Sequence, residues 1–311
     1  MRALVVSNML PDAAHPERGS FVRDQVAAVR ELDDLEVELY EFPPGGGALA
    51  RAGVDLARRR RAAAPDIVHA HFGLTALPSL SAPARVRGLT LHGTDVRHPR
   101  TRLVTRAVAH SVEVLGVVSR ALAQELPARL AGRAVELPCG VDVRRFSPRP
   151  RREARERLGL DPGEPFALFP ADPARAGKRH DRALELTRAA GVRLAVLGGV
   201  APERVPLWVN AANAVLVPSD HEGFGLAAVE ALACEVPVLA TPVGIHAAAL
   251  AGIDGALCAP FALETWLPAL RACVLDPDPR AQGRASAERF SAVAMAHRLR
   301  DAWREALQRA A

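Results

Sequence analysis

The chain has 311 residues, 49% of them apolar and 24% charged, which suits two ordinary hydrophobic cores and excludes a disordered polypeptide. Basic residues outnumber acidic ones only by 40 to 35, and the 40 are 39 Arg and a single Lys spread along the chain. The high pI therefore reflects composition rather than a basic tail, and a nucleic-acid binder is excluded by charge.

The cysteines Cys139, Cys234, Cys258 and Cys273 are scattered, with neither a disulfide-framework spacing nor a CxxC pair, so they read as reduced, mostly buried apolar residues. No apolar stretch approaches the roughly 18 residues of a membrane span. Met1 leads directly into a strand pattern rather than a signal peptide, and a cytoplasmic protein is expected. The basic run 58–61 reads as a solvated helix end, with peripheral contact to an anionic lipid surface as the alternative.

A short apolar strand at 3–7 is followed by a loop of Pro, Asp and Gly and then, from Ser20, by a helical pattern in Phe21, Val22, Val26 and Val29. Further strands are predicted at 35–39, 67–69, 89–91, 114–117 and 134–137, separated mostly by Ala- and Arg-rich segments of helical length. Around 147–165 the chain turns rich in Pro, Arg and Gly, with a short helix at 151–158, as an interdomain connection would. The alternation then restarts, with strands at 166–169, 194–197, 214–217 and 237–240 and helices at 181–190, 206–212 and 226–234. The fold class is α/β with two sequential Rossmann-like domains, 1–146 and 147–290, each binding ligand at the carboxyl ends of its strands. The segment 291–311 carries an amphipathic helix that either caps the second domain or crosses back to the first.

The most informative stretch is His221-Glu222-Gly223-Phe224-Gly225-Leu226, directly after a strand, with Glu230 following in a helix. Gly223 and Gly225 allow close backbone approach and leave amide donors at the helix start, where a phosphate or sugar hydroxyl is bound. Eight residues along a helix span about 12 Å, which suits carboxylates at the two ends of a nucleotide sugar. Taken singly, Glu222 reads as a surface residue and Glu230 as a helix-dipole partner; with the glycines the combination points to a site. Lys178 is the second clue: in a chain that otherwise uses Arg, the only Lys falls in the loop 171–178 after a strand, as a required compact ammonium would, the alternative being a chance surface position.

Glu222-Gly223-Phe224-Gly225 with Glu230-Ala231 resembles the paired-glutamate hallmark of the retaining glycosyltransferases of family 4, which have the GT-B fold. Pro237-Val238-Leu239-Ala240-Thr241-Pro242-Val243-Gly244 is similar to the family's next strand and loop. So are Gly19-Ser20-Phe21-Val22-Arg23, Asp66-Ile67-Val68-His69-Ala70-His71 and His92-Gly93-Thr94-Asp95 in the first half. Pro138-Cys139-Gly140-Val141-Asp142 resembles a stretch in which the family usually has Asn where Cys139 stands.

The resemblance implies two Rossmann-like domains facing across a cleft, the first for the acceptor and the second for a nucleotide-diphosphate sugar, UDP- or GDP-linked. It implies that Glu230 holds the donor ribose, Glu222 contacts the transferred sugar, and Gly19 approaches the pyrophosphate. The resemblance also implies that Arg175 and Lys178 neutralise the diphosphate as the glycosidic bond breaks, although Arg175 stands closer to Lys178 than the family's spacing. It further implies that His92, after a strand and before Gly93, faces the reacting sugar. Substrate contacts are assigned to Gly19, Gly223, Phe224, Gly225, Leu226 and Glu230, and catalytic roles to His92, Arg175, Lys178 and Glu222.

His69 and His71 are taken to point to opposite faces of their strand and so not to share a metal, with His69 structural and His71 lining the cleft. No metal or cofactor is expected. No carboxylate nucleophile is identifiable, so retention is assigned to front-face substitution, in which the leaving phosphate takes the acceptor's proton. The acceptor, a saccharide, lipid or small molecule, and the oligomeric state are not legible. Rival readings are a non-catalytic nucleotide-sugar-binding scaffold of the same fold and a pyridoxal-phosphate-dependent glycan phosphorylase, for which Lys178 is the only Schiff-base candidate. A dinucleotide-binding oxidoreductase is discounted because Asn8 to Pro11, not a GxGxxG, follows the first strand.

Overall fold

A computed structural model describes residues 1–59 and 64–311; Arg60 and Arg61 of the basic run lie outside the described residues. The apolar runs form strands β1 (Arg2–Ser7), β2 (Glu36–Glu41), β3 (Ile67–His71), β4 (Val86–Leu91), β5 (Val114–Val117) and β6 (Val135–Glu136) of one sheet. A second sheet holds β7 (Phe166–Phe169), β8 (Arg193–Val196), β9 (Ala214–Val217), β10 (Val238–Ala240) and β11 (Ala256–Cys258). Both sheets are parallel, with spatial orders β2-β1-β3-β4-β5-β6 and β11-β10-β9-β7-β8. The central strands β3, β7 and β9 are buried at every residue; β7 and β9 are accordingly unbroken apolar runs, β3 carries two buried histidines, and the edge strand β2 alternates with Glu.

In each sheet the strand order reverses once, between β1 and β3 in the first and between β7 and β9 in the second. The loops leaving those strand pairs flank the crevice where open α/β sheets bind ligands.

The chain divides into two units, Met1–Gly140 with Ala292–Ala311, and Val141–Ser291. The division falls at Gly140 rather than at the anticipated 146. Val141 N–H donates to Phe290 O at 2.9 Å, Arg284 donates to Val143 O, and Phe146 is buried, all within the second unit.

Of the two positions open to the last helix, Ala292–Arg309 takes the first unit. Ala296, Leu299, Trp303 and Ala306 enter one core cluster with Val22, Val26 and Val29 of the helix Ser20–Arg30. Burying each large apolar side chain there contributes about 1.5–3 kcal/mol, far more than the exposed Arg304–Asp34 pair on the same helix. The strand β11 and the helix Leu263–Leu275 were not anticipated. Three half-buried residues are too few for a strand signal, and Pro268 interrupts the helical pattern.

Candidate functional site

In the second unit the two loops at the switch point meet. The loop after β7 ends in a 3₁₀ turn, Ala176–Lys178, and residues 218–225 follow β9. Asp220 N–H donates to Gly177 O at 3.0 Å, and a Cβ on Gly177 would stand 2.8 Å from the His221 ring, so the loops approach as closely as glycine permits. This apposition delivers Lys178 Nζ to both carboxylate oxygens of Glu222, at 2.6 and 2.7 Å, while Ser219 Oγ donates to Oε1 at 2.8 Å. Burial by itself would raise the Glu222 carboxyl; the Lys178 ammonium and the Ser219 hydroxyl bring it below the usual carboxylate range.

A second layer fixes the loop. Thr241, just beyond β10, donates its hydroxyl to Ser219 O at 2.6 Å, and His246 Nδ1 lies 2.9 Å from Thr241 O. A carbonyl partner requires the proton on Nδ1, and the buried His246 Nε2 makes no hydrogen bond of good geometry among the described residues. That nitrogen stands 2.2 Å from where a Cβ on Gly225 would be. Gly225 also has φ 109°, so both space and backbone restrict the position to glycine. Gly225 is the N-cap of the helix Leu226–Ala233 and, as a glycine, gives its first amides no side-chain hydrogen bond.

Glu222 precedes that helix, so the 12 Å helical spacing expected between it and Glu230 does not apply; only Glu230 is helical, on the second turn and half-buried. Phe224 packs its ring against Phe290, with centroids 5.8 Å apart, and is buried, so its backbone rather than its side chain faces the loop. Gly223 and Leu226 are half-buried beside it. Arg175 is exposed, its side chain forms no ion pair among the described residues, and its carbonyl accepts from Lys178 N–H at 2.8 Å.

In the first unit, Gly19 caps the helix Ser20–Arg30 at φ 70°, and a Cβ there would meet Met9 O at 2.4 Å, so close packing against the loop after β1 already requires glycine. The next residue but one, Phe21, lies against His92, with ring centroids 5.0 Å apart, and Phe72 covers the same imidazole at 4.7 Å. Phe72 holds φ 70° and ψ 144°, a strained conformation for a bulky side chain, at the entrance to the helix Gly73–Ser79. Asp95 Oδ1 accepts from His92 N–H at 3.1 Å and Gly93 N–H at 2.8 Å, closing the turn that presents His92. Burial pushes the Asp95 carboxyl up to about 6, against the lowering effect of those amides.

The expected opposite orientation of His69 and His71 is wrong: residues two apart in a pleated strand share a face, and the two rings lie 5.6 Å apart. Both are fully buried. His69 accepts from Trp303 Nε1–H at 3.0 Å through Nδ1 and meets Thr90 Oγ1 at 2.7 Å through Nε2. His71 Nδ1 meets His92 Nε2 at 2.9 Å. Among the described residues no group of three or more His, Cys, Asp and Glu side chains has a metal-binding arrangement. The sequence reading gave no role to Ser219, Thr241, His246 or Asp95. Asp95 alone had a local signal, an Asp two residues beyond a glycine turn.

Residues 5–145 match the family model described as Glycosyltransferase Family 4, and residues 174–276 match the model described as Glycosyl transferases group 1. Curated relatives include the D-inositol 3-phosphate glycosyltransferase of Segniliparus rotundus, 32% identical with 78% of this chain and 67% of that protein covered. The protein of the same name from Actinosynnema mirum is 30% identical, with 88% and 78% covered. Among solved structures, sucrose-phosphate synthase from Thermosynechococcus elongatus superposes with a TM-score of 0.74 at 19% identity, covering 98% of this chain and 99% of that one. Anabaena HepE in complex with UDP and glucose gives 0.71 at 18% identity, covering 97% and 98%. At those identities the structures establish a shared fold of two Rossmann-like α/β domains.

Proposed function

This chain belongs to glycosyltransferase family 4 and is a glycosyltransferase, and from that premise we propose that it moves a hexosyl group from a nucleoside-diphosphate sugar to an acceptor with retention of anomeric configuration. The observation that carries the reading is the Lys178–Glu222 pair at the switch point of the second sheet, beside a helix whose N-cap is a glycine.

An ammonium has three N–H donors; two engage Glu222, and the third is left for a phosphate oxygen of the donor. Lys178, with the exposed Arg175, neutralises the diphosphate as the glycosidic C–O bond breaks, and the amides of residues 223–226 add further donors. Glu222, held as a carboxylate by Lys178, accepts hydroxyls of the transferred sugar, and Glu230 those of the ribose. In the first unit, Gly19 brings backbone to the diphosphate and His92 meets the reacting sugar. The leaving phosphate oxygen takes the proton of the attacking hydroxyl as the new glycosidic bond forms on the same face, with no divalent cation required.

The names of the relatives make a phosphorylated inositol the first acceptor to offer, and the UDP–glucose pairing in HepE makes UDP-glucose the first donor. The test is calorimetric titration with UDP, GDP and ADP and their glucose or mannose conjugates, on the wild-type chain and on Glu230→Ala and Lys178→Ala. Selective binding that weakens in both variants supports the donor site. Unchanged binding in both removes it. An inverted product anomer removes the retaining mechanism, and loss of transfer on chelation removes metal independence.

A further inference from the structure

His92 is read above as a residue that meets the reacting sugar, and the inference that follows rests on that reading. We infer that His71 fixes the tautomer of His92, donating its own Nδ1–H to His92 Nε2 so that His92 carries its proton on Nδ1.

The geometry leaves two choices. His71 Nδ1 and His92 Nε2 are 2.9 Å apart, and between two neutral imidazoles only one proton fits. If His92 supplied it, the proton of His71 would sit on Nε2. That atom is buried and has no hydrogen-bond partner among the described residues. The neighbouring His69 cannot serve it, since its two nitrogens are committed to Trp303 and Thr90. A buried N–H without an acceptor is among the costliest defects in a protein interior, and a bare ring nitrogen in the same place costs less. The proton therefore lies on His71 Nδ1, against the preference of a free imidazole for Nε2–H.

Both rings are neutral at physiological pH. Burial lowers His71 to about 3, and burial lowers His92 well below its ordinary value, with neighbouring His71 and His69 adding to the shift. The Asp95 carboxylate is turned to the backbone amides of His92 and Gly93. Phe21 and Phe72 clamp the His92 ring so that it cannot flip its nitrogens without unpacking both.

The consequence is chemical. With Nε2 occupied, His92 offers the sugar a donor, Nδ1–H, and no free lone pair. It is then a hydrogen-bond donor to a hydroxyl oxygen and not a base for the attacking acceptor, which leaves that proton to the leaving phosphate.

The full chain, labelled with ¹⁵N, is examined at neutral pH by long-range ¹H–¹⁵N correlation, with His92 assigned by the signals lost in His92→Gln. The wild type is expected to show a pyrrole-like Nδ1 and a pyridine-like Nε2 at His92. His71→Asn, whose amide nitrogen occupies the place of Nδ1, retains that pattern, and His71→Phe inverts it. A pyridine-like Nδ1 at His92 in the wild type overturns the inference, as does an unchanged pattern in His71→Phe. Should His71→Phe not fold, the wild-type and His71→Asn spectra decide. Transfer from UDP-glucose by His92→Ala at the wild-type rate would sink the active-site reading of His92 while leaving the tautomer assignment standing.

Discussion

Lys178 Nζ binds both oxygens of Glu222 although the two residues are 44 apart in the chain, and the side chains are only 20% and 9% exposed. Removing the cation strands a buried carboxylate with Ser219. Lys178→Ala should cost about 3 kcal/mol, the lower end of the range for a broken buried pair, because Lys178 keeps some contact with water. Lys178→Met combined with Glu222→Gln should recover most of it, and urea unfolding of the two single variants and the double variant measures the coupling. The pH dependence has a definite sign. In the wild type the lowered Glu222 contributes stability that is present above pH 4.5 and lost as pH falls below it. In Lys178→Ala, burial without the ammonium raises the carboxyl, so acidification through the same region should relieve the variant.

The buried histidines make the first unit acid-labile. His71, lowered by burial to about 3, stays neutral in the folded chain while the unfolded chain takes up a proton below 6.5. The stability it contributes is complete above 6.5 and falls as pH drops toward 3. Asp95 acts in the opposite sense: raised by burial to about 6 from 3.8, it penalises the folded state fully above 6, and acidification toward 3.8 removes the penalty. His71→Asn should therefore lose about 2 kcal/mol less than the wild type between pH 6.5 and 5. Asp95→Asn should lose more than the wild type over the same interval. Urea midpoints at the two pH values check both, and equal losses in all three chains would contradict the assignments.

Most of the scaffold was legible because parallel strands buried on both faces must be apolar throughout, so β5, β7 and β9 were read to the residue. The apposition of Lys178 and Glu222 was half legible. The lone Lys and the Glu-Gly-Phe-Gly loop each stood out, but their direct contact depends on which strand neighbours which, and sequence periodicity carries no strand order. The helix Ala292–Arg309 showed its apolar face but not the core that receives it, because a stripe of Ala, Leu and Trp fits either unit. His69 and His71, two apart in β3, share one face, contrary to the expectation that they point apart. Ser219 and His246 have no signal in the sequence, and Thr241 stands only within the family-like loop without a role, since each acts through a backbone or side-chain partner brought near only by folding.

Gly225 should tolerate no side chain. Gly225→Ala brings a Cβ within 2.2 Å of His246 Nε2 and imposes φ 109° on an L-residue. The backbone term alone costs about 1–3 kcal/mol, and the clash adds to it. Pairing the change with His246→Ala should relieve the clash, leaving the backbone cost together with the loss of the Thr241 contact. The measured quantities are the urea midpoint and nucleotide affinity. A neutral Gly225→Ala would show that the loop relaxes freely and that glycine here is not a structural requirement.

Trp303 joins the last helix to the interior of the first sheet by two separable means, a fully buried indole and a single N–H to His69. Trp303→Phe keeps most of the ring volume and leaves His69 Nδ1 without its donor, so it should cost about 1–3 kcal/mol. Trp303→Ala also opens a cavity among Val22, Val26 and Leu299 and should cost about 3–5 kcal/mol. Ending the chain at residue 291 removes the whole stripe of Ala296, Leu299, Trp303 and Ala306 from that cluster. The truncated chain is expected to lose the cooperative unfolding of its first unit and to bind a hydrophobic dye, while residues 141–291 keep their own transition. A truncated chain whose first unit unfolds as cooperatively as in the full protein would mean that the helix covers that core without completing it.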